Sequence, residues 1–151
     1  MNTEVTNRQR KYKVDRQSIK SSADNILSLC GSGNAELSIL IVNNRFMRTL
    51  NRQYRGIDKT TDVLSFLPSP ATFTYSGGGA NEGKPERFLG DIVISMEKIY
   101  AQAAERGHSP DKEFKILLIH GILHLLGYDH EVTRAEAQRM SRKEKLIVSR
   151  L

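Results

Sequence analysis

A chain of 151 residues is long enough to bury a real core in one domain. Lysine and arginine number 23 against 17 acidic residues, a formal charge of +6, which favours anionic partners with nucleic acid first among them. The single cysteine, Cys30, excludes an internal disulfide framework, and no run of about 20 apolar residues is there to span a membrane.

The opening M-N-T-E-V-T-N-R-Q-R-K-Y-K has no apolar stretch of signal-peptide type, so a soluble cytoplasmic protein is expected. Val5 to Gln9 reads as a short first strand. Val14 to Leu29 reads as an amphipathic helix with Ile19, Ala23, Ile26 and Leu27 on one side, broken by Gly31-Ser32-Gly33-Asn34. Cys30 is expected as a reduced thiol at the apolar end of that helix. Glu36 to Asn43, E-L-S-I-L-I-V-N, is a strand rich in β-branched residues, and Asn43 or Asn44 can cap the helix that follows.

This second helix, running to about Tyr54, has two faces. Phe46, Met47, Leu50 and Tyr54 share one, and Arg45, Arg48, Arg52 and Arg55 share the other. Such an arginine stripe is commonly a solvated basic face. It can also be a phosphate-binding ridge, because the planar guanidinium fork suits phosphate oxygens. Asp62 to Leu67 is the next strand. The stretch 68–85, with Pro68, Pro70, Gly77, Gly78, Gly79, Gly83 and Pro85, reads as a mobile loop. Leu89 to Ser95 is a strand, and Met96 to Arg106 a helix that Gly107 ends. His108 reads as a solvated loop residue beside Ser109-Pro110.

Asp111 to Leu126 follows as a helix apolar on nearly every side, hence buried. Thr133 caps a last helix whose Glu136 suits a capping box and which carries Arg134, Arg139, Arg142, Lys143 and Lys145. There is no internal repeat and no linker. Strands mixed with helices predict an α+β layer fold: a small mixed β-sheet of about four strands backed by helices, with a buried central helix carrying histidines.

Those histidines lie in H-G-I-L-H-L-L-G-Y-D-H at 120–130, which holds three of the chain's four. His120 and His124 are four apart and share one helix face. Gly127 can adopt the left-handed conformation that ends a helix, letting the chain swing His130 back toward them. Three converging imidazoles describe an open metal site, with three protein ligands and a free fourth place. Two buried imidazoles also need partners for their nitrogens. The spacing matches the longer H-E-x-x-H-x-x-G-x-x-H peptidase pattern, but Gly121 stands where its glutamate base belongs. The cage is kept and the peptidase base is gone. Imidazole suits zinc and several other first-row metals.

With these residues placed, the chain resembles the YbeY-type endoribonucleases, the bacterial rRNA maturation RNase family. The metal motif at 120–130 carries the likeness together with L-N-R-Q-Y-R-G-I-D-K-T-T-D-V-L-S-F at 50–66, and the order of elements extends it over nearly the whole chain. Two departures are visible: Phe66 is followed by Leu67-Pro68 rather than directly by proline, and the 68–85 segment is richer in glycine and proline than the family's shorter acidic one. The resemblance implies a single-strand-specific endoribonuclease acting in 16S rRNA 3′-end maturation and ribosome quality control. It implies one zinc ion on His120, His124 and His130, and Arg55 as the signature arginine needed for activity. Single-stranded RNA, rRNA and small-subunit ribosomal proteins are the implied partners, in the bacterial cytoplasm, with neither membrane nor DNA.

The chemistry expected is metal-assisted cleavage of an RNA phosphodiester, in which a Lewis acid polarises a phosphoryl oxygen or lowers the pKa of a bound water toward ~7. Arg55 would stabilise charge building on the phosphate, and Arg52, Arg48 and Arg45 would extend the RNA-binding track. No residue qualifies as a general base; Asp129 and Glu131 flank the last histidine, where polar turn residues are common. Two alternatives stand beside this reading. One is a metallopeptidase-like hydrolase with its base supplied from elsewhere. The other is a ribosome-associated assembly factor with a structural metal, although a structural zinc site needs four protein ligands and three are found.

Overall fold

The computed structural model describes residues 3–68, 88–128 and 133–151. Glu36–Val42 forms β2, at the centre of the core. Its side chains alternate across the sheet, with Leu37, Ile39 and Ile41 facing one side and Leu40 and Val42 the other, all buried. A strand apolar on both faces needs a layer on each. Phe88–Ser95 (β4) pairs with β2 in parallel, Thr3–Asn7 (β1) flanks β2 in parallel on the other side, and Val63–Phe66 (β3) pairs antiparallel with β4. The order β1-β2-β4-β3 leaves β3 as an edge. This is the expected α+β architecture, with a mixed sheet of four strands among the described residues.

Arg16–Leu29 (α1), Met96–Arg106 (α3), Pro110–Leu125 (α4) and Arg134–Arg150 (α5) contribute to the larger core, on the Ile39 and Ile92 face. Asn44–Arg55 (α2) covers the opposite face, where Met47 and Leu50 meet Leu40, Leu64 and Val93. Each helix starts as its sequence demands. Asn43 accepts the Phe46 amide at 2.8 Å, Ser109 the Lys112 amide at 3.1 Å with Pro110 opening the first turn, and Thr133 the Glu136 amide at 3.0 Å. Glu136's own carboxylate pairs with Arg139. Cys30 ends α1 as anticipated, and burial pushes its thiol up from the usual range.

The first strand sits two residues earlier than expected. Gln9 is not in it, because its amide is spent on a turn: Nε2 donates to the Tyr12 carbonyl at 2.7 Å and Oε1 accepts the Tyr12 amide at 3.0 Å. That turn places Tyr12 in a stack on Tyr100 of α3, with ring centroids 3.8 Å apart.

His108 is the clear correction. It is no solvated loop residue: its Nε2 lies 2.5 Å from Oε1 of Glu113, a fully buried carboxylate that Arg106 also reaches at 2.7 Å. A carboxylate removed from water needs such partners, and the α3–α4 turn supplies both. The expected loop at 68–85 lies, beyond Pro68, outside the described residues. Among the described residues no helix is long and apolar enough to cross a membrane.

Candidate metal centre

α4 runs through the larger core with Phe114, Leu117, Leu118, Ile119, Ile122 and Leu123 buried around it. His120 and His124 stand on its one less-covered side. The i, i+4 spacing sets their rings edge to face with centroids 4.6 Å apart and brings Nε2 of each to 3.1 Å from the other. Nδ1 of His120 lies 3.2 Å from Oε2 of Glu144 on α5. A proton on Nδ1 shared with that carboxylate makes Nε2, the nitrogen near His124, the ring's acceptor atom.

This donor set fits a first-row metal. With bonds of about 2.0–2.1 Å, tetrahedral ligands hold their nitrogens roughly 3.3 Å apart, close to the observed separation. The Glu144–His120 contact has the form of the carboxylate–imidazole pairing by which proteins orient metal-ligating histidines. Among the described residues no cluster of three metal-ligating side chains forms. His130, the third histidine of the motif, lies with Asp129 and Glu131 outside the described residues.

The helix ends at a left-handed Gly127, as its sequence proposes. Gly127 has φ +99°, its amide donates to the His124 carbonyl at 3.1 Å, and the Tyr128 amide reaches back to Leu123 at 3.0 Å. This closes the helix with paired hydrogen bonds to carbonyls of its last turn. Arg139 of α5 lies over the Tyr128 ring, 4.2 Å from its centroid, and holds the turn against α5.

Gly121 explains the missing glutamate physically. A Cβ there would meet Ile92 of β4 at 3.1–3.4 Å, so this position packs onto the sheet. A side chain at 121 points into the core, away from the histidine side of the helix.

The arginines lie on the other layer. Arg45, Arg48, Arg52 and Arg55 are all exposed on α2, as the stripe predicts. They are not equivalent: Arg48 makes a two-point pair with Asp58 at 2.8 and 3.1 Å. Hydrogen bonding from Arg48 holds the Asp58 carboxyl below the usual carboxylate range. Arg55 follows Tyr54, whose ring meets Phe66 of β3 edge-on at 5.6 Å. The neighbouring Ser65 hydroxyl donates to the Gly121 carbonyl at 3.4 Å. The edge strand β3 is thus the bridge between the arginine end of α2 and the histidine helix.

Glu144 is the residue that sequence reasoning missed. A signal was present: Met140 and Ile147 are buried, and Glu144 sits between them at the same helical spacing. A carboxylate on an apolar stripe needs a partner.

The family described as Endoribonuclease YbeY matches residues 4–151. The chain is 40% identical to the Endoribonuclease YbeY of Caldicellulosiruptor saccharolyticus, over 95% of this chain and 93% of the relative. It is 42% identical to that of Aquifex aeolicus, over 94% of this chain and 87% of the relative. A solution structure of a Thermotoga maritima protein shares the fold, with a TM-score of 0.63 at 24% identity, covering 97% of this chain and 86% of that one. The match over nearly the full chain settles membership: this protein belongs to the YbeY family.

Proposed function

We propose that this chain is a metal-dependent, single-strand-specific endoribonuclease that cleaves RNA phosphodiester bonds, with residues 1–151 acting as one catalytic domain. The observation that carries the reading is the meeting of His120 Nε2 and His124 Nε2 at 3.1 Å on a buried helix, with Glu144 behind His120, in a chain of the YbeY family. His120, His124 and His130 hold the ion, and zinc suits three imidazoles with an open fourth place. When bound, it supplies a Lewis acid for a phosphoryl oxygen.

The remaining work falls to the chain. Glu144 fixes the His120 tautomer and ring orientation. Arg55 stabilises the charge that builds on the phosphate, reaching a strand laid across the β3 edge. Arg52, Arg48 and Arg45 continue the anionic track along α2. The substrate is rRNA, at the 3′ end of 16S rRNA, and the setting is the bacterial cytoplasm beside small-subunit ribosomal proteins, in rRNA maturation and ribosome quality control. The family names of the relatives support the nuclease part of this reading.

The test pairs two variants. Arg55→Ala is expected to keep its metal and lose roughly 100-fold or more in cleavage of single-stranded RNA. His124→Ala is expected to lose both. Full cleavage by metal-loaded Arg55→Ala removes the role of that arginine. Full cleavage by folded His124→Ala would show the metal to be structural or the activity a contaminant.

A further inference from the structure

At the far end of α2 from Arg55, a groove of about 580 Å³ is lined by Asn44, Arg45 and Arg48 of α2, Asp58, Lys59 and Thr60 of the following loop, and Lys98 of α3. Four cations face one carboxylate. Asp58 is already engaged by Arg48, so Arg45, Lys59 and Lys98 remain, and among the described residues no carboxylate pairs with them. The groove is held in shape from beneath. Asn51, only 2% exposed, donates from Nδ2 to the Lys59 carbonyl at 2.8 Å. The buried Ser95 hydroxyl and the Thr60 hydroxyl both reach Asn44 Oδ1, at 2.7 and 3.3 Å. The Arg48–Asp58 pair ties the loop to the helix a second time. These contacts fix where Lys59 leaves the backbone.

We propose that this groove is a second RNA-phosphate site, in which Arg45, Lys59 and Lys98 hold the backbone of the same strand away from the cleaved bond. The inference rests on the endoribonuclease reading. From Arg45 to Arg55 the helix rises about 1.5 Å per residue, so the two ends of α2 lie ~15 Å apart. That distance corresponds to a few nucleotides of a single strand. The groove therefore engages RNA a few nucleotides from the reacting phosphate, and it sets a minimum substrate length. Cations on a fixed loop and helix pair suit a regularly spaced polyanion, and the open shape admits a strand rather than enclosing a small molecule.

The experiment measures binding of a fluorescent single-stranded RNA of roughly 12 nucleotides to the full chain across a salt series. The variants are Lys59→Gln with Lys98→Gln, and a control, Lys20→Gln with Lys112→Gln, which removes equal charge from α1 and α4 on the other side of the sheet. Each phosphate contact contributes about 0.7 to the slope of log K against log salt for a single strand. The groove variant is expected to lose about 1.4 of slope and the control to lose none. In cleavage assays the groove variant raises KM for the long RNA and leaves kcat unchanged. Equal slopes in groove variant and wild type overturn the proposal, as do equal losses in groove variant and control. An unchanged RNA slope with weakened binding of poly-glutamate also overturns it and assigns the groove to an acidic protein. A wild-type chain that neither binds nor cleaves RNA brings down the endoribonuclease reading itself, an outcome separate from the others.

Discussion

His120 uses its two nitrogens differently, and the whole site depends on that division. Nδ1 faces Glu144 and Nε2 faces His124. Replacing Glu144 with glutamine removes the carboxylate that selects the tautomer while keeping size and shape. Glu144→Gln is expected to lower metal affinity about 10–100-fold without unfolding, read by competition with a chelator. Unchanged affinity would mean that the carboxylate only decorates the helix surface. Glu113 teaches the complementary lesson, because it is fully buried and carries no part of the proposed chemistry. Its ties to Arg106 and His108 join α3 to α4. Glu113→Ala leaves Arg106 and His108 without their shared acceptor and is expected to cost roughly 1–3 kcal/mol, measured from the denaturant midpoint and slope.

At the scale of elements, β3 matters most, because it joins the two layers that carry the site. Its approach to β4 depends on Gly90. That residue follows an irregularity in the β2–β4 register and has φ +139°. A Cβ on it would lie 2.2 Å from the Phe66 carbonyl oxygen and 3.1 Å from Leu125 beside His124. Backbone cannot yield as a flexible side chain does, so β3 would have to move. Gly90→Ala is expected to destabilise by roughly 3–5 kcal/mol, seen as a lowered denaturation midpoint. A neutral outcome would show that the edge strand is free to shift. α2 is the clearer element to read, since its buried Met47 and Leu50 and its exposed arginines follow directly from helical spacing.

For the whole molecule, the two cores share their strands. Ile39 and Ile92 belong to one face while Leu40 and Val93, their neighbours in sequence, belong to the other. Loss of either layer exposes one face of the strands on which the other layer packs. Leu118→Ala on the α4 side and Met47→Ala on the α2 side, both at fully buried positions, are each expected to cost about 2–5 kcal/mol. Both variants should lower one and the same calorimetric transition. Two separate transitions, each moved by one variant only, would show the layers to be independent.

What the sequence determined by itself is whatever depends on neighbours in the chain. Helix caps at Asn43 and Thr133, the two-faced α2, the buried α4 and the His120–His124 pairing all follow from spacing of a few residues. Tertiary structure decided what depends on residues far apart. Glu144 reaches His120 from 24 positions away, Ser65 reaches Gly121 from 56, and Lys98 joins Lys59 around one groove. The role of His108 has a related cause: Glu113 stands close by in sequence, but only the folded packing of α4 beside α3 strips that carboxylate of water. Local order is written in propensity and period; burial, and the partners it makes obligatory, exists only once the layers have closed.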